Sequence, residues 1–397
     1  MFNLTQIVIM EPIIEKKAMN IARDKGKRTY RRMVVKFGTS LLTAGSPRLN
    51  QETIANLVAQ VARLHTQGRE VVIVTSGAIA AGRDKLGATR KRRDIPFKQV
   101  MASVGQNHLM YTYEQLFSRH NITVAQALLT KTDLADRAGY LNARNTLLAL
   151  LELRAICIVN ENDVVAIEEI EGTRFGDNDN LSAMVANLID ADLLMILTDI
   201  GGLYNADPHR NPDARLIPEV KRINRDIEQM AATTNSSLGT GGMATKIEAA
   251  RLATASGTTM VIADGREPDV IARLAAGEAI GTRFLPITGK LESRKRWMLC
   301  GLSTMGKLVI DSGAAIALKK QKRSLLAAGI KHSEGMFDRG DIVDIYDTED
   351  NYLGCGITNY SGHSIDIIKG TRSGKIGALL GFDYGPEVVH RNNLALV

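Results

Sequence analysis

Lys36 interrupts an apolar run, Val34-Val35-Lys36-Phe37, and Gly38-Thr39-Ser40 follows it. An ammonium group inside such a run is costly unless it meets an opposite charge, and a phosphate is one such charge. A lysine snorkelling from a sheet edge is the plainer alternative. Thr75-Ser76-Gly77-Ala78 closes a second apolar run with small residues, which let backbone N–H groups approach an anion at a helix N-terminus. Many strand–turn–helix joints look alike, so this element says little alone. The densest polar cluster joins Asn160-Glu161-Asn162-Asp163 to Gly176-Asp177-Asn178-Asp179-Asn180. Asn and Asp side chains can hold an amino acid's ammonium and carboxylate, and one Asp can orient a catalytic lysine. Two Asx turns and a helix cap are the bland account of the same residues. Leu197-Thr198-Asp199 with Gly201-Gly202-Leu203-Tyr204 marks another run that ends in a turn. Gly239-Thr240-Gly241-Gly242-Met243-Ala244-Thr245-Lys246 is a Gly-rich loop entering a helix, whose N–H groups and lysine could grip nucleotide phosphates.

The elements that must position these residues alternate between two periods. Met33–Phe37 reads as a strand, and Asn50 caps a helix whose apolar positions Ile54, Leu57, Val58, Val61 and Leu64 stop at Gly68. Val71–Val74 reads as the next strand. Helices over Tyr140–Leu153, Leu181–Ala191 and Ala244–Ala255 precede strands over 155–159, 193–197 and 258–263. Such alternation implies an α/β fold, a mainly parallel open sheet sandwiched by helices, with ligands beyond the carboxyl ends of the strands. The texture changes near Pro286. A charged connector follows, then short strands between Gly, Asp and Ser turns over 307–310, 341–346, 353–357 and 364–368. The division read from this is a basic, disordered leader over 1–32, a large domain over 33–286, a linker over 287–302, a small β-rich domain over 303–384 and a tail over 385–397.

Composition narrows the chemistry. The net charge of +7 sits mostly in residues 1–32, which hold eight Lys/Arg against three Asp/Glu, so the body is close to neutral. That argues against a general nucleic-acid surface. No stretch approaches the ~20 apolar residues of a membrane helix. Three distant cysteines and seven scattered histidines suggest neither a disulfide framework nor a metal site, and they suit a reducing, cytoplasmic compartment. Two patterns mislead. Gly239–Ala244 matches GxGxxA, but no apolar strand leads into it, and the loop does not end as a Walker A motif.

Taken in this order, the elements resemble the amino acid kinase family from about Met33 to Tyr384-Gly385-Pro386 and His390-Arg391. The resemblance rests on Thr75-Ser76-Gly77-Ala78-Ile79-Ala80-Ala81-Gly82, Asn160–Asp163, Gly176–Asn180 and Leu238–Lys246. The C-terminal segment resembles a PUA domain, a small β-barrel-like module often found in RNA-modifying enzymes. The resemblance implies ATP-dependent phosphorylation of the side-chain carboxylate of L-glutamate, the first step of proline biosynthesis. Mg²⁺ would ride on the ATP, with no protein metal cage. Lys36 and Lys246 would stabilise the transferring phosphoryl group, and Asp179 would hold both lysines. Lys36, Thr198, Asp199, Thr240, Gly241, Gly242, Met243, Ala244, Thr245 and Lys246 would bind ATP. Ser76, Asp163 and Asn178 would bind glutamate. Proline would act as feedback inhibitor and the chain would form a homo-oligomer. Family members acting on acetylglutamate or aspartate fit less well, because of the PUA-like segment and the Asn-Glu-Asn-Asp element. RNA binding is disfavoured by the balance of ten basic and ten acidic residues over 304–383, although Lys319, Lys320, Lys322 and Arg323 cluster there. One departure from the family pattern is the stretch Glu168–Phe175, about three residues longer than expected.

Overall fold

The structure, a computed structural model, describes residues 30–87, 94–166, 178–208, 210–233, 242–286 and 304–396. Its larger sheet has eight strands: β1 (Arg32–Phe37), β2 (Glu70–Thr75), β3 (Val124–Leu129), β4 (Ile156–Glu161), β5 (Leu193–Thr198), β6 (Glu219–Val220), β7 (Thr259–Asp264) and β8 (Thr282–Phe284). They lie in the order β3-β4-β2-β1-β5-β7-β8-β6. All pairs are parallel except β7 with β8, so the expected mainly parallel open sheet is what the chain builds.

β1 is central, flanked by β2 and β5, and its side chains alternate between the two faces of the sheet. Met33, Val35 and Phe37 enter one apolar cluster, which helices α1 (Thr39–Thr43), α2 (Gln51–Thr66), α3 (Ala78–Lys85) and α4 (Ile95–Ser118) cover. Val34 enters the opposite cluster, beneath α5 (Lys131–Ala135), α6 (Arg137–Glu152), α7 (Asn178–Leu188), α8 (Arg225–Thr233) and α9 (Met243–Ala255). Lys36 shares the parity of Val34 and therefore points toward α7 and α9. The cap at Asn50 forms as read, its side chain accepting from Thr53 N at 2.8 Å. Helix α4 had no counterpart in the sequence reading. Its buried stripe includes Ala102, Gly105 and Thr112, which carry little apolar signal.

The leader reading needs correction at its end. Residues 1–29 lie outside the described residues, but Tyr30 is buried, and the backbone N–H groups of Arg31 and Arg32 both donate to Asp192 Oδ2 at 2.8 Å. The Arg32 guanidinium also donates to Glu70 at 2.5 Å and to the Ile189 carbonyl. These arginines anchor the first strand.

The second unit has a five-stranded mixed sheet, β11-β9-β12-β13-β15, and a two-stranded one, β10-β14. The strands are β9 (Gly306–Ile310), β10 (Leu325–Leu326), β11 (Ile330–Glu334), β12 (Ile342–Asp347), β13 (Tyr352–Ile357), β14 (Glu387–Val389) and β15 (Leu394–Leu396). Two expectations change here. Residues 364–368, read as a strand, belong to a helix over Gly362–Ile368. Ser361 caps it, and Ile365 and Ile368, one turn apart, are its buried apolar residues. Residues 387–396, read as tail, supply β14 and β15, and β15 pairs with β13. The linker over 287–302 lies outside the described residues.

Candidate active site

The carboxyl ends of β4, β2, β1 and β5 lie side by side in the sheet, and the first turns of α7 and α9 meet there. Asp179, in the first turn of α7, has no exposed surface. Its Oδ1 accepts from Lys36 Nζ at 2.6 Å, and its Oδ2 accepts from Lys246 Nζ at 3.1 Å and from Thr245 Oγ1 at 3.2 Å. Both lysines are almost fully buried, with side-chain exposures of 4% and 6%. Burying ions is tolerable only where partners satisfy them, and here one carboxylate faces two ammonium groups. The group of three carries a formal +1. Two ammonium groups at the strand ends suit an anion.

Gly77, at φ 97°, turns the chain from β2 into α3 directly after the buried Ser76. Helices α3 and α4 then cross with their backbones in contact. A Cβ on Gly82 would lie 1.8 Å from Met101 O, and one on Gly105 would lie 1.8 Å from Ala78 O. This approach brings Gln106, on α4, to the end of β4. A chain of amides follows. Gln106 Oε1 accepts from Asn160 Nδ2 at 2.7 Å. Asn160 Oδ1 accepts from Glu161 N at 2.9 Å and from Asn178 Nδ2 at 3.1 Å. Asn178 Nδ2 also donates to Ser76 Oγ at 2.9 Å. Asn178 Oδ1 is buried and has no partner among the described residues.

Behind Ser76, the Tyr113 hydroxyl shares a 2.8 Å hydrogen bond with Thr75 Oγ1. Burial lifts that phenol well above its ordinary range, so it stays protonated and braces the end of β2. On the other flank Thr198 Oγ1 donates to Asp199 Oδ1 at 3.0 Å. Arg266 donates to the Asp199 carbonyl at 2.7 Å and forks onto Asp264. Burial alone would raise the Asp264 carboxyl, but the hydrogen bonds and charge of Arg266 leave it below its usual range.

The structure thus brings Lys36, Asp179, Thr245 and Lys246 into one group, and Ser76 and Asn178 into another. Asp163 follows β4 and is half-buried. Gly242 precedes α9, and Met243 and Ala244 begin it. Thr240 and Gly241 lie outside the described residues, as do Gly176, Asp177 and the lengthened stretch 168–175. Gln106, Asn160 and Arg266 were not singled out individually from the sequence. The partners of Gln106 and Arg266 lie 54 and 67 positions away, beyond any local pattern.

Comparison with known proteins adds relationship to this geometry. The amino acid kinase family matches residues 31–264, and the PUA domain matches residues 306–380. A glutamate 5-kinase of Dehalococcoides mccartyi (strain CBDB1) is 60% identical over 368 residues, 93% of this chain and 99% of that protein. One of Herpetosiphon aurantiacus is 50% identical over 365 residues, 92% of this chain and 98% of its own length. One of Geobacter sulfurreducens is 47% identical over 367 residues, with 92% and 98% covered.

Proposed function

Because the chain belongs to the amino acid kinase family, we propose how its residues carry out the ATP-dependent phosphorylation of the L-glutamate side-chain carboxylate that begins proline biosynthesis. The observation that carries the assignment of roles is Asp179 held between Lys36 and Lys246 at 2.6 and 3.1 Å. A carboxylate is already a competent nucleophile, so no general base is required. One glutamate side-chain oxygen bonds to the γ-phosphorus of ATP while the bond from that phosphorus to the β–γ bridging oxygen breaks. ADP keeps the electron pair, and no proton moves. Catalysis then reduces to alignment and to offsetting charge on the phosphoryl oxygens. Lys36 and Lys246 supply that positive charge, and Asp179 keeps both ammonium groups in place.

Thr198, Asp199 and residues 240–246 hold the nucleotide. Ser76, Asp163 and Asn178 hold glutamate, the bare Asn178 Oδ1 accepting from its ammonium and the Asp163 carboxylate offsetting that group's charge. Mg²⁺ fits as a companion of the nucleotide. No group of three His, Cys, Asp or Glu among the described residues could cage it, and Mg²⁺ commonly takes phosphate and water ligands. Feedback inhibition by proline, assembly into a homo-oligomer and a cytoplasmic location belong to this reading through kinship. No helix among the described residues is long and apolar enough to cross a membrane.

The test is a coupled assay of ADP release with L-glutamate, N-acetylglutamate and L-aspartate. L-glutamate is expected to be strongly preferred. Equal turnover of N-acetylglutamate would remove the ammonium from the recognition scheme and sink the roles given to Asn178 and Asp163.

A further inference from the structure

We infer that Gln106 is a positioning residue for glutamate: it acts through Asn160 to hold the Asn178 amide with its carbonyl oxygen facing the substrate. This rests on the reading above that Asn178 binds glutamate.

The direction of every hydrogen bond in the chain follows from one backbone group. The Glu161 N–H can only donate, so the Asn160 atom it meets at 2.9 Å is the carbonyl Oδ1. The other Asn160 atom is then Nδ2, a donor, and the Gln106 atom 2.7 Å away must accept, which makes it Oε1. Asn178 meets Asn160 Oδ1 at 3.1 Å and must present Nδ2 there. What remains is Asn178 Oδ1, buried and without a partner among the described residues. A buried bare acceptor costs free energy that a donor from a ligand recovers. An ammonium group is such a donor.

Gln106 is the second of the two anchors on the Asn160 side chain, the first being Glu161 N. With both in place the Asn160 amide plane is pinned at its oxygen and its nitrogen. Without Gln106 the nitrogen end of the Asn160 amide is unanchored, and of the two acceptors that fix Asn178 Nδ2 only Ser76 Oγ stays firmly placed. Gln106 can hold this place because Gly105, its neighbour, lets α4 lie against α3 at backbone contact. Gln106 Nε2 is itself buried without a partner among the described residues.

The test compares Gln106→Met with the parent enzyme and places it on an Asn178→Ala background. Expected is a rise of roughly fivefold in KM for glutamate, the scale of one neutral hydrogen bond, with KM for ATP unchanged and a modest fall in melting temperature, because the buried Asn160 Nδ2 loses its acceptor. Asn178→Ala alone is expected to raise the glutamate KM by roughly tenfold or more, and Gln106→Met should then add almost nothing, because the two act along one path. Should the methionine variant not fold, Gln106→Ala gives the same reading, since alanine is the best helix former and the site is half-buried. An unchanged glutamate KM in the folded Gln106 variants overturns the inference. So does an effect that adds in full to that of Asn178→Ala, which would mean that Gln106 meets substrate directly. If Asn178→Ala itself leaves the glutamate KM unchanged, the assignment of Asn178 fails first, and the fault lies in the site reading.

Discussion

Lys36 shows how far a single residue could be read. An ammonium group in an apolar run is an anomaly visible in the sequence, and the structure brings it to Asp179 at 2.6 Å in the middle of the sheet. The edge-strand alternative is therefore removed. The residues around Lys36 do not name its partner, because Asp179 lies 143 positions away and reaches Lys36 only once α7 packs over β1; the family resemblance alone pairs the two. Lys36→Ala is expected to lower kcat by ~10²-fold or more, the usual scale for removing one preorganised charge donor. The same change leaves Asp179 with one ammonium partner fewer in a buried place, so the melting temperature should fall too. Steady-state kinetics well below that temperature separate the two effects. Lys36→Arg should rescue poorly, since a planar guanidinium fork does not replace a compact ammonium beside a carboxylate that Lys246 also uses. Near-normal kcat in the alanine variant would show that Lys36 only neutralises Asp179.

At the level of elements, the strands that end in polar residues were legible because their β-branched runs and helical neighbours differ in period. Helix α4 was not, and neither was the helix over 362–368. In α4 the buried face uses Ala102, Gly105 and Thr112 in place of large apolar residues, since close backbone approach there demands small side chains. In the second helix, Ile365, Ile367 and Ile368 read equally as a short strand, and the Ser361 cap decides the matter. The α3–α4 crossing has a testable consequence. Adding a methyl group at Gly105 would drive it to 1.8 Å from Ala78 O, which is backbone and cannot rotate aside. Gly105→Ala must part the two helices. It is expected to destabilise the fold by ~1–3 kcal/mol, as overpacking commonly does, and to raise the glutamate KM by displacing both Ser76 and Gln106. Gly68→Ala is the control: Gly68 has open space around it but a φ of 83°, so it should lose stability without any change in KM. A Gly105→Ala enzyme with parental melting temperature and KM would mean the crossing is loose.

The two units of the molecule meet at helix α6, and this contact was invisible in the sequence. Every residue expected to do chemistry precedes Pro286, which suggested that the first unit works alone. Yet Leu141 on α6 has no exposed surface because Ile342, Cys355, Ile357 and Ala395 of the second unit cover it. Beside it Arg339 donates to Asn142 Oδ1 at 2.6 Å and stacks on the Tyr384 ring at 4.0 Å. Helix α6 leads directly into β4, whose end carries Asn160, so the second unit rests on an element that supports the strand end where Asn160 meets Gln106 and Asn178. A chain ending at Pro286 is still expected to fold and to phosphorylate glutamate, because both apolar clusters of the large sheet lie wholly within it. It should lose the burial of Leu141, worth ~2 kcal/mol, which in a domain of this size lowers the melting temperature by roughly 4–8 °C. Leu141→Gln in the truncated chain should improve solubility without further loss of activity, whereas in the full-length chain it should be destabilising, because there the amide would be buried without assured partners. Thermal melts and glutamate kinetics on the four proteins decide the matter. If the truncated chain is folded by circular dichroism but inactive, α6 needs its cover to hold β4 in register, and the second unit is then part of the catalytic apparatus. If it is active with a glutamate KM raised and kcat kept, the second unit tunes substrate affinity through α6 while phosphoryl transfer at Lys36, Asp179 and Lys246 proceeds without it.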